Sequence, residues 1–97
     1  MKMISYWKYT TEIYIDDGLT LITGWYDHKN QNEGGYKALG VHWGNYPLSR
    51  GILSPCVIPE STRIAMLSGL LYQSAEKNNT AQTKSILEAI RFFNEQA

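Results

Sequence analysis

The chain has a single cysteine, Cys56, in 97 residues, so no disulfide closes within it, and a reducing cytoplasm suits it. Long apolar runs are missing: nothing approaches the ~20 residues a membrane span needs. The first residues, Met1 to Lys8, break their apolar stretch at once, unlike a secretory leader. Excess base is missing too, with nine Lys and Arg against nine Asp and Glu. Non-specific nucleic-acid binding needs a basic field and is not expected. The three prolines, Pro47, Pro55 and Pro59, fall in one stretch, and there is no repeat, low-complexity tract or linker. One domain over residues 1–97 is expected, able to bury roughly 60–70% of its unfolded surface.

What the chain does have is an uneven placement of acids. Glu12, Asp16, Asp17, Asp27 and Glu33 share their segment with one base, Lys29. That segment carries −4, while the residues before and after it carry +2 each. A locally acidic surface on a neutral chain is a docking site for something basic. The competing reading is ordinary solvation, with Asp17 suited to a turn and Asp16 blunting a strand.

The first half has strand chemistry. Residues 11–15 and 19–26 are rich in β-branched and aromatic side chains and flank Asp16-Asp17-Gly18. Asp-Gly is a hairpin signal, because a type I′ turn needs positive φ at both central positions. With Asp17-Gly18 as that turn, Asp16 faces Leu19, Ile15 faces Thr20 and Ile13 faces Ile22. Ile13, Ile15 and Ile22 then share one face; Glu12, Tyr14, Leu21 and Thr23 share the other. Residues 3–9 form either a separate strand or the lead-in to a long one. Leu39, Val41 and Trp43 alternate with small or polar neighbours, as in a half-buried strand. Residues 28–35 are a polar loop, and residues 45–59 are expected to be mostly irregular.

The last third is helical. A helix starts at Glu60 or Ser61 after Pro59, and Ile64, Leu67, Leu70 and Leu71 recur at helical spacing. Asn78-Asn79-Thr80 interrupts the pattern, and either Asn79, with Gln82 three residues on, or Thr80 caps a second helix. Ile86, Leu87, Ile90 and Phe93 supply its apolar face. The expected fold class is α+β: an antiparallel sheet of about three to four strands packed against a C-terminal two-helix hairpin.

No catalytic or cofactor motif stands out. His28, His42 and Cys56 lack the close pairing of zinc ligands; the plainer reading is a loop histidine, a solvent-facing strand histidine and a half-buried thiol. A Cys56–His pair oriented by Asp27 has no local support, since Cys56 follows Pro55 and does not open a helix. Gly34-Gly35 and Gly40 lack the Lys-Ser/Thr of a phosphate loop and suit turns or a close backbone approach. Tyr6, Trp7, Tyr9, Tyr14, Trp25, Tyr26, Tyr36, Trp43 and Tyr46 crowd the first half. An aromatic sheet face stacks single-stranded bases only where the surface is basic, and this one is acidic. Tyr and Trp equally suit protein interfaces or the core.

Three features together carry a resemblance: the chain length, the acidic segment from Glu12 to Glu33 with its Asp16-Asp17-Gly18 turn, and the catalytically silent stretch from Ala38 to Glu60. The chain resembles the small anti-CRISPR proteins of phages and mobile elements, in particular the DNA-mimicking inhibitors of the type I-F CRISPR surveillance complex. The resemblance implies a non-enzymatic inhibitor acting in the host cytoplasm. Its carboxylates stand in for phosphates on a Lys- and Arg-lined DNA channel and block target-DNA entry. Zero net charge departs from that pattern and confines any mimicry to a local patch. From charge and position, the partner-binding residues expected are Glu12, Asp16, Asp17, Asp27 and Glu33, with no cofactor, no metal, no direct nucleic-acid contact and no membrane. The alternatives are a small cytoplasmic interaction or accessory domain, or a Cys/His-dependent enzyme.

Overall fold

The computed structural model describes residues 4–28 and 35–95. The chain divides into two compact units, the first ending at Ile58 and the second beginning at Pro59. The class is α+β, as expected: a four-stranded antiparallel sheet, then two helices. No helix among the described residues is long and apolar enough to cross a membrane.

In the first unit, β1 (Trp7–Asp16), β2 (Leu19–Tyr26) and β3 (Tyr36–Trp43) are followed by the short β4 (Leu48–Ser49), β5 (Ile52–Leu53) and β6 (Cys56–Ile58). The main sheet has the order β1-β2-β3-β6, and β4 pairs only with β5. Asp17 and Gly18 have φ of 49° and 90°, the positive pair a type I′ turn requires. Residues before Trp7 are a lead-in: Ile4 bridges to Leu53, and the Ser5 N–H donates to the Leu53 carbonyl at 2.8 Å. The stretch expected to be irregular therefore holds three short strands. Their hairpin turns at Arg50-Gly51, again with positive φ at both residues.

Two bulges interrupt β1. Tyr9 and Thr10 lie between the Lys8↔Trp25 and Thr11↔Thr23 pairs, and Ile13 between Glu12↔Ile22 and Tyr14↔Leu21. Asp16 faces Leu19 and Ile15 faces Thr20, as expected, but Glu12, not Ile13, faces Ile22. Cross-strand partners share a face and neighbours along a strand alternate. The bulge at Ile13 thus puts Glu12 on the face of Ile22, opposite the face of Tyr14 and Asp16.

One core cluster of this unit is built around Trp7, Ile22 and Ala38, with Ile4, Tyr26 and Val57 against them, while Leu21 and Leu39 are buried on the opposite face of the sheet. The Trp7 ring crosses β2 to lie over Gly40 of β3, where an added Cβ would sit 2.7 Å from two ring carbons. Its indole N–H donates to the Pro55 carbonyl at 3.2 Å. Burying a side chain of this size contributes about 4–6 kcal/mol of transfer free energy before entropy is counted.

The second unit is a helical hairpin of α1 (Glu60–Glu76) and α2 (Thr80–Asn94). Asn79 is the cap that forms, its Oδ1 accepting from the Gln82 N–H at 3.0 Å. Buried Ser74 donates to the Leu71 carbonyl at 2.9 Å and lies 3.0 Å from the Thr83 hydroxyl of α2, a polar stitch between the helices. Leu67, Ile86 and Ala89 are buried. Ile64 and Leu87, expected on apolar faces, are exposed.

Gly40→Ala is expected to lose about 1–3 kcal/mol of stability, because the new methyl overpacks against the Trp7 ring. Gly69→Ala in α1, where a Cβ meets nothing within 4 Å, is expected to gain about 0.5–1 kcal/mol from helix propensity and a less flexible unfolded chain. Denaturant titration of both variants checks the pair; a Gly40→Ala chain as stable as the parent would remove the ring contact as a constraint.

Candidate functional site

The Asp17-Gly18 turn meets a second tight turn at the same end of the sheet. Trp43 and Tyr46 exchange backbone hydrogen bonds (Trp43 N–H to Tyr46 carbonyl 2.7 Å, Tyr46 N–H to Trp43 carbonyl 2.9 Å), closing a two-residue turn at Gly44-Asn45. The Gly44 N–H donates to the Gly18 carbonyl at 3.1 Å and ties the two turns together. Buried His42 donates its Nδ1–H to the Gly44 carbonyl at 3.1 Å. A carbonyl can only accept, so this bond sets the ring nitrogen that carries the proton. Both backbone groups of Gly44 are thus engaged, and the turn is held from two sides.

This arrangement presents two carboxylates beside two aromatics. Asp16, Leu19 and Trp43 form one row across the sheet, on one face. With strands about 4.8 Å apart, Asp16 and Trp43 stand roughly 10 Å from each other across Leu19. Trp43 is 47% and Tyr46 67% exposed. Asp16 and Asp17 are exposed, and among the described residues neither is in an ion pair. Tyr14 donates its hydroxyl to Asp16 Oδ2 at 3.3 Å. Burial, and then the negative charge of Asp16, push the Tyr14 phenol above its ordinary pKa.

Of the other acids expected at the site, Glu12 and Asp27 do not join this pair. Glu12 is exposed on the opposite face because of the Ile13 bulge. Asp27 is 2% exposed, with its backbone N–H donated to the Tyr6 carbonyl at 2.8 Å; it cannot touch a partner from there, and the expectation that it does is corrected. Glu33 lies outside the described residues, as does Lys29. Trp43 and Tyr46 belong to the site although charge counting overlooks them. Their signal was Gly-Asn between two aromatics, a two-residue hairpin pattern.

The candidate Cys/His chemistry is not assembled. Cys56 is exposed and pairs with Val41, so His42, one residue on, stands on the other face of the sheet. It is buried there, not solvent-facing as expected. His28 is engaged through Nδ1 with the Tyr26 hydroxyl at 2.7 Å. Among the described residues no group of three or more His, Cys, Asp and Glu is placed to hold a metal ion. Comparison with protein-family models, curated proteins and solved structures returns no match.

Tyr26 is also pushed up, by burial first and then by its Tyr36 and Tyr6 neighbours. A phenol that keeps its proton longer in the folded chain leaves stability intact below about pH 10 and erodes it as pH rises through the raised values. Asp16→Asn is expected to bring the Tyr14 titration down without returning it to the ordinary value, because burial is the larger cause. The ring carbon bearing the Tyr14 hydroxyl, followed by NMR against pH, reports this; an unshifted curve would remove Asp16 as a neighbour of that phenol.

Proposed function

We propose that this chain is a non-enzymatic binding module that docks a Lys- or Arg-bearing surface at the Asp16-Asp17/Trp43-Tyr46 end of its sheet. The observation that carries it is the locked pair of turns, which holds two carboxylates, in no ion pair among the described residues, beside two exposed aromatics. Carboxylates take guanidinium groups through paired, charge-assisted hydrogen bonds. Trp and Tyr faces attract the same cations and supply contact area at low entropic cost. Because the turns are already formed, little ordering is lost on binding.

The partner proposed is a nucleic-acid-handling protein in the cytoplasm, with the DNA channel of a type I-F CRISPR surveillance complex as the first to test. There Asp16 and Asp17 would take the place of backbone phosphates and obstruct target DNA. Two charges neutralise little of such a channel, so the aromatic pair supplies the rest of the affinity.

Capture of the purified complex is expected to fall by about tenfold or more when Asp16 and Asp17 are both changed to Lys, with a flatter dependence on salt. Trp43→Ala is expected to cost more than about 1 kcal/mol of binding, with little change in salt dependence. Glu12→Lys, on the other face, is the control expected to change little. Salt-independent capture that ignores all three variants would refute the docking site; no capture, or capture that leaves DNA bound, would refute the channel as its target.

A further inference from the structure

At the end of the sheet that carries Asp16, a single row of side chains sets a carboxylate and two aromatic rings in line. Asp16, Leu19 and Trp43 are cross-strand partners, and Tyr46 pairs with Trp43 through two backbone hydrogen bonds, so all four share one face. Leu19 is half-buried and makes an apolar floor between the carboxylate and the indole. Tyr14 donates to Asp16 Oδ2 at 3.3 Å, which orients the carboxylate and leaves Oδ1 to solvent. Trp43 and Tyr46 stand directly opposite each other. Yet neither ring meets another aromatic or a cation among the described residues.

We propose that this row is the seat of one arginine side chain of the protein partner, and that it takes arginine in preference to lysine. The inference rests on the docking reading and narrows its partner. A guanidinium is planar, with N–H groups along its edge and weakly hydrated faces. It bonds a carboxylate in its own plane while a face lies on an aromatic ring. The row offers both contacts on one face of the sheet, with Asp16 and Trp43 roughly 10 Å apart across Leu19. A charge-assisted bond of about 2.8 Å to Asp16 leaves the guanidinium over Leu19 and the near side of the indole. The aliphatic stem then runs back along the row over Tyr46. A lysine ammonium is compact and strongly hydrated and has no flat face. It gains the charge of Asp16 but not the stacking. Asp17 sits in the turn, outside the row, and adds field without a bond to the seated group.

Two end-blocked tripeptides of equal charge, tri-arginine and tri-lysine, titrated into the isotopically labelled full chain test this. The Trp43 indole N–H and the Leu19 methyl signals are followed by NMR at low salt. Saturable shifts are expected with both peptides, the arginine peptide binding about threefold or more tighter. Trp43→Leu is expected to remove that preference. Asp16→Asn, which keeps an acceptor for Tyr14, is expected to weaken the arginine peptide about threefold to tenfold, and Asp17→Asn less than about twofold. Equal binding of the two peptides overturns the arginine seat and leaves the docking reading in place, as does a preference that survives Trp43→Leu. Equal losses for the two aspartates reduce the row to a general acidic field and overturn the seat as well. No saturable shift with either peptide up to about 10 mM overturns the docking reading together with this one.

Discussion

The first unit depends on a single reach: the indole of Trp7, on an edge strand, extends across β2 to lie on the backbone of Gly40 in β3. The same ring packs against Tyr26, with centroids 5.2 Å apart, and its N–H finds the Pro55 carbonyl just before β6. One side chain therefore touches β2 and β3 and bonds to the residue that leads into β6. It does so only because position 40 has no side chain. Any Cβ there would lift the ring, and with it the indole donor that now has a buried acceptor. The turns of the candidate site are the far ends of strands whose middles this contact pins.

Much of this was legible in the chain. Asp17-Gly18 dictates its turn because few residues tolerate positive φ twice in succession. The alternation of Leu39, Val41 and Trp43 marks β3, and Asn79 with Gln82 marks the α2 cap. What stayed hidden has a common physical character. Glu12, Ile13, Tyr14 and Ile15 alternate as a regular strand does, and a bulge is a property of two strands in register, not of one strand's composition. The strands β4, β5 and β6 are too short for any period to show. Asp27 follows the last residue of β2, where composition predicts a solvated loop; its burial comes from the chain around Tyr6 folding back to meet its N–H. Spacing likewise marked Ile64 and Leu87 as apolar positions, but it does not tell how wide a stripe on each helix is covered.

The candidate site was legible in kind and misjudged in makeup. Charge counting finds five acids in a row of sequence and treats sequence proximity as surface proximity. The sheet sorts them: one face for Asp16, the other for Glu12, the interior for Asp27. What remains is less acidic and more aromatic than composition suggests. Such a surface discriminates by shape and cation chemistry more than by bulk field.

The bulges in β1 also govern what the sheet does in a concentrated solution. An edge strand ten residues long is ordinarily a template on which another chain adds a strand of its own. Here Tyr9 has φ of 55° and Ile13 is an extra residue in the ladder, so the outward row of donors and acceptors loses its even spacing twice. The opposite edge, β6, is only three residues long. Neither border offers an incoming strand a long regular register, so the sheet resists growing by self-addition while its aromatic end stays open to a partner of different shape.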